Sequence, residues 1–165
     1  MKKTIVFKTL VDILYLFHFI GLAAIVFIIP FGIVAINQVN IAIEDWSLFY
    51  WLIFIVSLVT YLIFLRGLYF LRKMARFLLS HKYFSVRIIQ SLKKSGIHFL
   101  LTGVLNFSLF VAVWINKLNG GEIELIFGNN NLIPLFLMIV GMFFIIQSNT
   151  LELARGFKEE NQLTI

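Results

Sequence analysis

Four long apolar segments run through this chain of 165 residues and leave little room for any soluble fold. Hydrophobic residues make up 61% of the chain and charged residues only 13%, which lies outside the usual composition of soluble domains. A water-soluble chain of this length cannot bury so much apolar surface. The sequence therefore predicts one all-α domain over residues 1–165, a four-helix transmembrane bundle.

The predicted spans cover about residues 13–36, 48–70, 97–115 and 132–153. At a rise of ~1.5 Å per residue, the first exceeds the ~30 Å hydrocarbon core, and it is too long for the apolar core of a signal peptide. We therefore expect an uncleaved first helix. The fourth span is apolar only to Ile146, so part of the polar run 147–150 is expected at membrane depth, facing protein.

Positive charge is unevenly distributed along the chain. Eight of the 14 Lys and Arg residues fall between Arg66 and Lys94, whereas the loops 37–47 and 116–131 carry one Lys and four acidic residues. Because Lys and Arg are retained on the cytoplasmic side of a membrane, both termini and the central loop 71–96 are predicted to be cytoplasmic. The predicted location is the bacterial cytoplasmic membrane.

The central loop has the pattern of an amphipathic helical hairpin between spans 2 and 3, with the tail 154–165 on the same side. Apolar residues of its first half share one helical face, Ser85 can cap a second short helix, and Gly96 is predicted to end it. The hairpin either lies on anionic lipid headgroups or forms a docking surface for a cytoplasmic protein; direct nucleic-acid binding is not expected. Its candidate surface residues are Arg72, Lys73, Arg76, Lys93 and Lys94.

Ionisable and polar residues in or beside the spans are candidates for an intramembrane network. We expect Asp12 or Glu152 to form an ion pair with Arg66, which would join helix ends, in preference to a proton relay. The imidazole of His18 is expected to hydrogen-bond a neighbouring helix. The polar side chains either line a wet groove or simply pack helices together. The full candidate set is Asp12, His18, Arg66, His98, Asn106, Asn149 and Glu152.

Signatures of catalysis are missing from the sequence. The chain has no cysteine, which excludes disulfides, thiolate metal sites and cysteine nucleophiles. It contains no nucleophile elbow, no paired-histidine zinc motif and no phosphate-cradling glycine loop. We therefore predict no catalytic residue, no cofactor and no metal, and a protein that is not an enzyme.

Two segments carry a family resemblance. The loop segment KYFSVRIIQSLKKSG and the tail ARGFKEENQLTI resemble small bacterial four-span membrane proteins of the domain of unknown function 2975. Gln162 departs from the acidic residue common in that family. Members of that family are often encoded beside a small Xre-like helix-turn-helix regulator. The resemblance therefore implies such a regulator as a partner. The tail residues Glu159, Glu160, Leu163, Thr164 and Ile165 would then either bind this partner or fold back on the basic loop.

The sequence thus favours a non-enzymatic membrane sensor or anchor that acts on a cytoplasmic partner, such as a small helix-turn-helix regulator. A small transporter or permeation subunit is the alternative, and an immunity or envelope-stress protein is a third hypothesis. The abundance of aromatic residues, 16% of the chain, also suggests self-association or broad lipid contact.

Overall fold

The computed structural model describes residues 2–28, 33–36, 39–42, 47–79, 84–119 and 132–163. It confirms the predicted all-α bundle. Each of the four helices in the described residues is long and apolar enough to cross a membrane. A short two-stranded hairpin joins the first two helices. In chain order the elements are α1 (Lys2–Ile28), β1 (Ile33–Ile36), β2 (Val39–Ala42), α2 (Leu48–Leu78), α3 (Val86–Asn119) and α4 (Leu132–Leu163).

The first helix has different bounds from the predicted span 13–36. It begins at Lys2 and ends at Ile28, and residues 33–36 form β1, which pairs antiparallel with β2. The sequence gives a physical reason, because Pro30 lacks an amide hydrogen and disfavours helical backbone just before it. The β-branched residues beyond it suit a strand. Pro30 and most of the loop 37–47, including Glu44 and Asp45, lie outside the described residues, as does the loop 120–131.

The third helix shows that the prediction for Gly96 was wrong. Helix α3 continues through Gly96 without interruption to Asn119, so the glycine does not end a short helix. A Cβ at this position would lie 2.7 Å from the carbonyl oxygen of Gly141 on α4. The missing side chain lets the two backbones approach closely, which is the common use of small residues between membrane helices.

Helix α3 lies at the centre of the bundle. It packs along α2 on one side and α4 on the other, while α1 packs mainly against α2. Close approach to α4 recurs at Gly103, where a Cβ would meet the carbonyl oxygen of Pro134 at 2.7 Å. Aromatic rings fill the space between the three helices, with Phe99 5.6 Å from Phe64 and 5.9 Å from Phe144 between ring centroids.

The hydrophobic core is concentrated where the positive charges cluster. We call this region the basic end and define it as residues 66–79, at the end of α2, with residues 84–95, at the start of α3. Most members of the core cluster belong to it, and Phe7, Phe77 and Leu151 are among the residues that pack around them. The buried core residues are Val11, Leu68, Leu71, Met74, Ile88, Leu92 and Phe99.

The polar run of α4 faces in more than one direction. Ser148 is fully buried and its hydroxyl donates to the carbonyl of Ile145 at 2.7 Å, whereas Gln147, Asn149 and Thr150 are exposed on the model surface. The expectation that part of this run faces protein therefore holds for Ser148.

Candidate functional site

The basic end is held together by close contact between α2 and α3. The hydroxyl of Ser95 is fully buried and donates to the carbonyl of Gly67 at 3.0 Å. A Cβ at Gly67 would meet the ring of Phe99 at 2.8 Å. Residues 67 and 95 are therefore fixed at the same depth along the bundle, and the two helices leave the apolar region side by side.

A cleft of about 200 Å³ opens between α2 and α3 beyond this contact. We call it the α2–α3 cleft. Three of its side chains are cations, two are polar and two are aromatic rings. Its lining residues are Phe70, Lys73, Phe77, Arg87, Gln90, Ser91 and Lys94.

The aromatic rings of the cleft support two of its cations. The guanidinium of Arg87 lies 5.8 Å from the ring centroid of Phe77, and the ammonium of Lys94 lies 5.5 Å from that of Phe70. Such cation–π contacts contribute about 0.5–1 kcal/mol at exposed sites. They restrain long side chains that would otherwise be mobile, and they keep both charges at the cleft walls.

A second cavity, of about 300 Å³, continues the basic surface. It shares Lys73 and Phe77 with the α2–α3 cleft and adds Tyr69, Arg72 and Arg76. Every charged residue that lines the two cavities is positive. The sequence explains this, because no Asp or Glu occurs between Asp45 and Glu122.

The ion pair predicted for the helix ends forms with a different arginine. Asp12 binds Arg72, with 2.5 Å between the carboxylate Oδ1 and the guanidinium Nε, and also binds Lys8 at 3.1 Å. Arg66 is exposed and makes no ion pair with a described residue, so its predicted pairing with Asp12 or Glu152 was wrong. The guanidinium of Arg72 also lies 5.0 Å from the ring centroid of Tyr15. These contacts attach α1 to the basic end.

Replacing Asp12 by Asn is expected to loosen α1 without unfolding the bundle. Both partners are partly exposed, with side-chain accessibilities of 22% for Asp12 and 31% for Arg72, so solvent screening limits the loss to about 1 kcal/mol. Limited proteolysis of the purified protein should therefore cut α1 faster in the Asp12→Asn variant than in wild type. Glu152→Gln is the matched control, and equal cleavage of both variants would contradict the role of the pair.

The remaining candidates of the intramembrane network lie apart. The Nδ1 atom of His18 bonds the carbonyl of Leu14 in its own helix at 2.8 Å, and it is the backbone carbonyl of His18 that accepts a hydrogen bond from Tyr61 of α2. The prediction for this imidazole was therefore wrong. The Nδ1 atom of His98 likewise bonds its own helix, at the carbonyl of Lys94.

Three further members of that set also have no partner within it. Asn106 is half-buried, and Asn149 and Glu152 are exposed. Among the described residues, no hydrogen bond or ion pair joins any two of the seven candidates. No group of three or more His, Asp or Glu side chains that could hold a metal ion forms in the described part of the chain.

A comparison with protein families finds one match that covers most of the chain. The family described as "Protein of unknown function (DUF2975)" matches residues 33–165. The chain belongs to the DUF2975 family. No curated protein and no solved structure matches it. The matched region of this DUF2975 protein contains α2, α3 and α4, and therefore both cavities, whereas Asp12 and the rest of α1 precede it.

The C-terminal tail of this DUF2975 protein is a continuation of α4. The helix extends to Leu163, and Thr164 and Ile165 lie outside the described residues, as does the side chain of Leu163. Glu159 pairs with Arg155 of the same helix at 2.7 Å. The ammonium of Lys158 lies 5.9 Å from the ring centroid of Phe84, next to the start of α3. The tail thus contacts the basic end through a cation–π interaction.

Sequence reasoning found the cations of the basic end but missed the cleft. Arg72, Lys73, Arg76, Lys93 and Lys94 lie in the basic end, and all but the half-buried Arg72 are exposed. The polar cleft residues Gln90 and Ser91 were not singled out. A signal was available, because residues 87, 90, 91 and 94 have the i, i+3, i+4, i+7 spacing of one helical face.

Proposed function

We propose that this multi-pass membrane protein is a non-enzymatic anchor or sensor whose basic end binds a cytoplasmic protein, with a small helix-turn-helix regulator as the candidate. The observation that carries the proposal is the folded state of the basic end. A connector between two spans needs only a few residues. Here α2 and α3 instead continue past the apolar segments and supply most of the hydrophobic core, in which Leu68 and Ile88 are 1% and 2% exposed.

The charge of this projection supports a cytoplasmic location. Lys and Arg are retained on the cytoplasmic side, and eight of the 14 such residues fall between Arg66 and Lys94. A fixed positive surface favours a partner with an acidic patch, because complementary potentials speed association and select among partners. Arg76 and Lys93 are exposed on this surface.

The end of α4 adds a second element to the proposed docking surface. Phe157 is 65% exposed and Leu153 is 67% exposed, so this part of the helix presents apolar side chains beside the basic end. Exposed apolar residues next to charged ones are typical of helices that bind a partner helix or groove.

Site-specific photocrosslinking in living cells tests the proposal directly. A photoreactive amino acid placed at Arg76 or at Asn161, both exposed and both at the proposed surface, is expected to capture one protein, identified by mass spectrometry as a small helix-turn-helix regulator. The matched control places the same amino acid at Asn116, an exposed residue near the opposite end of α3.

The capture should depend on the surface charge and on the tail. The double variant Arg76→Glu and Lys93→Glu, or deletion of residues 158–165, is expected to abolish it while membrane insertion stays normal. Lys2→Glu with Lys3→Glu is the charge-matched control on α1. Capture of the same proteins at Asn116 as at Arg76, or of no cytoplasmic protein at Arg76, would refute the docking role.

A further inference from the structure

The α2–α3 cleft combines three cationic side chains with the hydroxyl of Ser91. Lys73, Arg87 and Lys94 line it, and none of them forms an ion pair with a described residue. Two acidic residues on the neighbouring helices are engaged with other cations, Asp12 with Arg72 and Glu159 with Arg155. Three cations therefore face one volume of about 200 Å³, which is many times the ~10–15 Å³ that a single water needs.

Ser91 is the second feature of the cleft. This residue is only 5% exposed, lines the cleft, and makes no hydrogen bond with another described residue. No buried side-chain oxygen or nitrogen of the described residues lacks a hydrogen-bond partner, so the unpaired hydroxyl of Ser91 is accessible. It is free to bond a ligand in the cleft, which Gln90 also lines. The cleft thus offers neutral donors beside its three cations, as an oxyanion requires.

The depth of the cleft identifies the source of the anion. Gly67 lies level with Ser95. It directly follows Arg66, the first charged residue after the apolar run of α2. The hydrocarbon boundary therefore lies near this level. The cleft begins at Lys94, one residue beyond Ser95, and at Phe70, about one turn beyond Gly67. Arg87 is about 10 Å beyond Lys94 along α3. The headgroup layer on each side of a bilayer is roughly 5–7 Å thick, so the cleft covers this layer.

We infer that the α2–α3 cleft binds the phosphate of an anionic phospholipid headgroup. Lys73, Arg87 and Lys94 supply the charge, and Ser91 and Gln90 supply hydrogen bonds to the phosphate oxygens. Basic pockets between membrane helices are known to hold such headgroups. This inference does not depend on the proposed protein partner, because the partner would contact the outer surface at Arg76 and the tail.

Lipid-dependent thermal stabilisation of the purified full-length protein tests the site. The unfolding midpoint is measured in detergent during titration with phosphatidylglycerol, with phosphatidylcholine, and with inorganic pyrophosphate at matched phosphate concentration. A ligand that binds only the folded protein raises the midpoint with concentration. We expect saturable stabilisation by phosphatidylglycerol and almost none by the other two.

Charge-matched variants locate the site. Removing three cations, as in Lys73→Gln with Arg87→Gln and Lys94→Gln, is expected to weaken the apparent affinity about a hundredfold, at about fivefold for each cation. The control Lys3→Gln with Arg66→Gln and Lys93→Gln removes the same charge outside the cleft and should retain most of the affinity. All six positions are exposed, but the cleft variant also loses the two cation–π contacts of Arg87 and Lys94, so the lipid-dependent shift of each variant is measured from its own midpoint without lipid.

Three outcomes would overturn the inference. Equal loss in the control triple variant would mean that lipid binds the general positive surface and not the cleft. Stabilisation by pyrophosphate as strong as that by phosphatidylglycerol would mean a soluble phosphate ligand. Equal stabilisation by phosphatidylcholine would mean that the charge of the headgroup plays no part. Ser91→Ala provides the finer measurement, with an expected loss of about three- to tenfold for one hydrogen bond.

Discussion

Gly141→Ala is expected to destabilise the bundle strongly, although it adds a single methyl group. The new Cβ would lie 2.5 Å from the backbone nitrogen of Leu100 and 2.8 Å from the carbonyl oxygen of Gly96. Both obstacles are backbone atoms of α3, so neither can rotate away, and the two helices must separate. Overpacking of this kind costs about 1–3 kcal/mol or more. The measurement is the free energy or midpoint of unfolding in one detergent.

Gly156→Ala on the same helix is the matched control. Nothing lies within 4 Å of a Cβ at Gly156, so the substitution should be neutral or stabilise the helix by up to about 1 kcal/mol, the difference in helix propensity. The two variants therefore have opposite expected signs for the same chemical change. Equal stability of the two variants would mean that α3 and α4 do not cross at Gly96 and Gly141.

Ile88→Ala is expected to be the most damaging truncation in the basic end. The side chain is 2% exposed and belongs to the core cluster that joins α2 and α3. Truncating a buried isoleucine to alanine typically lowers the free energy of unfolding by about 2–5 kcal/mol, because apolar contacts are lost and a cavity remains. We expect a correspondingly lower unfolding midpoint and faster hydrogen exchange in residues 84–95.

Val86→Ala serves as the control for that truncation. Val86 lies two residues before Ile88 and is 38% exposed, so its truncation should cost well under 1 kcal/mol. If both substitutions had the same small effect, the basic end would not be tightly packed. The proposed docking surface would then lack the rigid support on which it depends.

The spans were predictable because the bilayer imposes simple requirements on them. A helix must be long and apolar to cross, so α2, α3 and α4 include their predicted spans, and α4 begins at Leu132 as predicted. The end of the first span was not found, because the sequence stays largely apolar from the end of α1 at Ile28 through β1 at Ile33–Ile36. Hydropathy alone does not separate apolar helix from apolar strand.

The contacts between helices were harder to predict, because they depend on the relative depth of the helices. Asp12 was assigned to Arg66 on the basis of distance from the apolar runs, and the structure shifts the pairing by six residues to Arg72. Gly96 was interpreted as a helix end, since a glycine in one sequence carries the same signal whether it terminates a helix or meets another backbone. Only the position of Gly141 on α4 distinguishes these roles.

The candidate functional residues show the same difference between features that follow from composition and features that depend on contacts between helices. The cations of the basic end follow from charge alone, so they were identified from sequence. The α2–α3 cleft requires the register between two helices, which the contact of Ser95 with Gly67 fixes. Ser91 and Gln90 were therefore overlooked, because neither residue stands out in the sequence. Their importance depends on lining the same cleft as Lys73.

The side of the membrane that the basic end occupies is the claim on which the rest depends, and single-cysteine labelling measures it directly. The chain has no cysteine of its own, so Arg76→Cys and Asn116→Cys each introduce one unique thiol at an exposed position. With a membrane-impermeant maleimide, we predict that Asn116→Cys reacts in intact cells and that Arg76→Cys reacts only after permeabilisation. Labelling of Arg76→Cys in intact cells would place the basic end outside and contradict a cytoplasmic docking role.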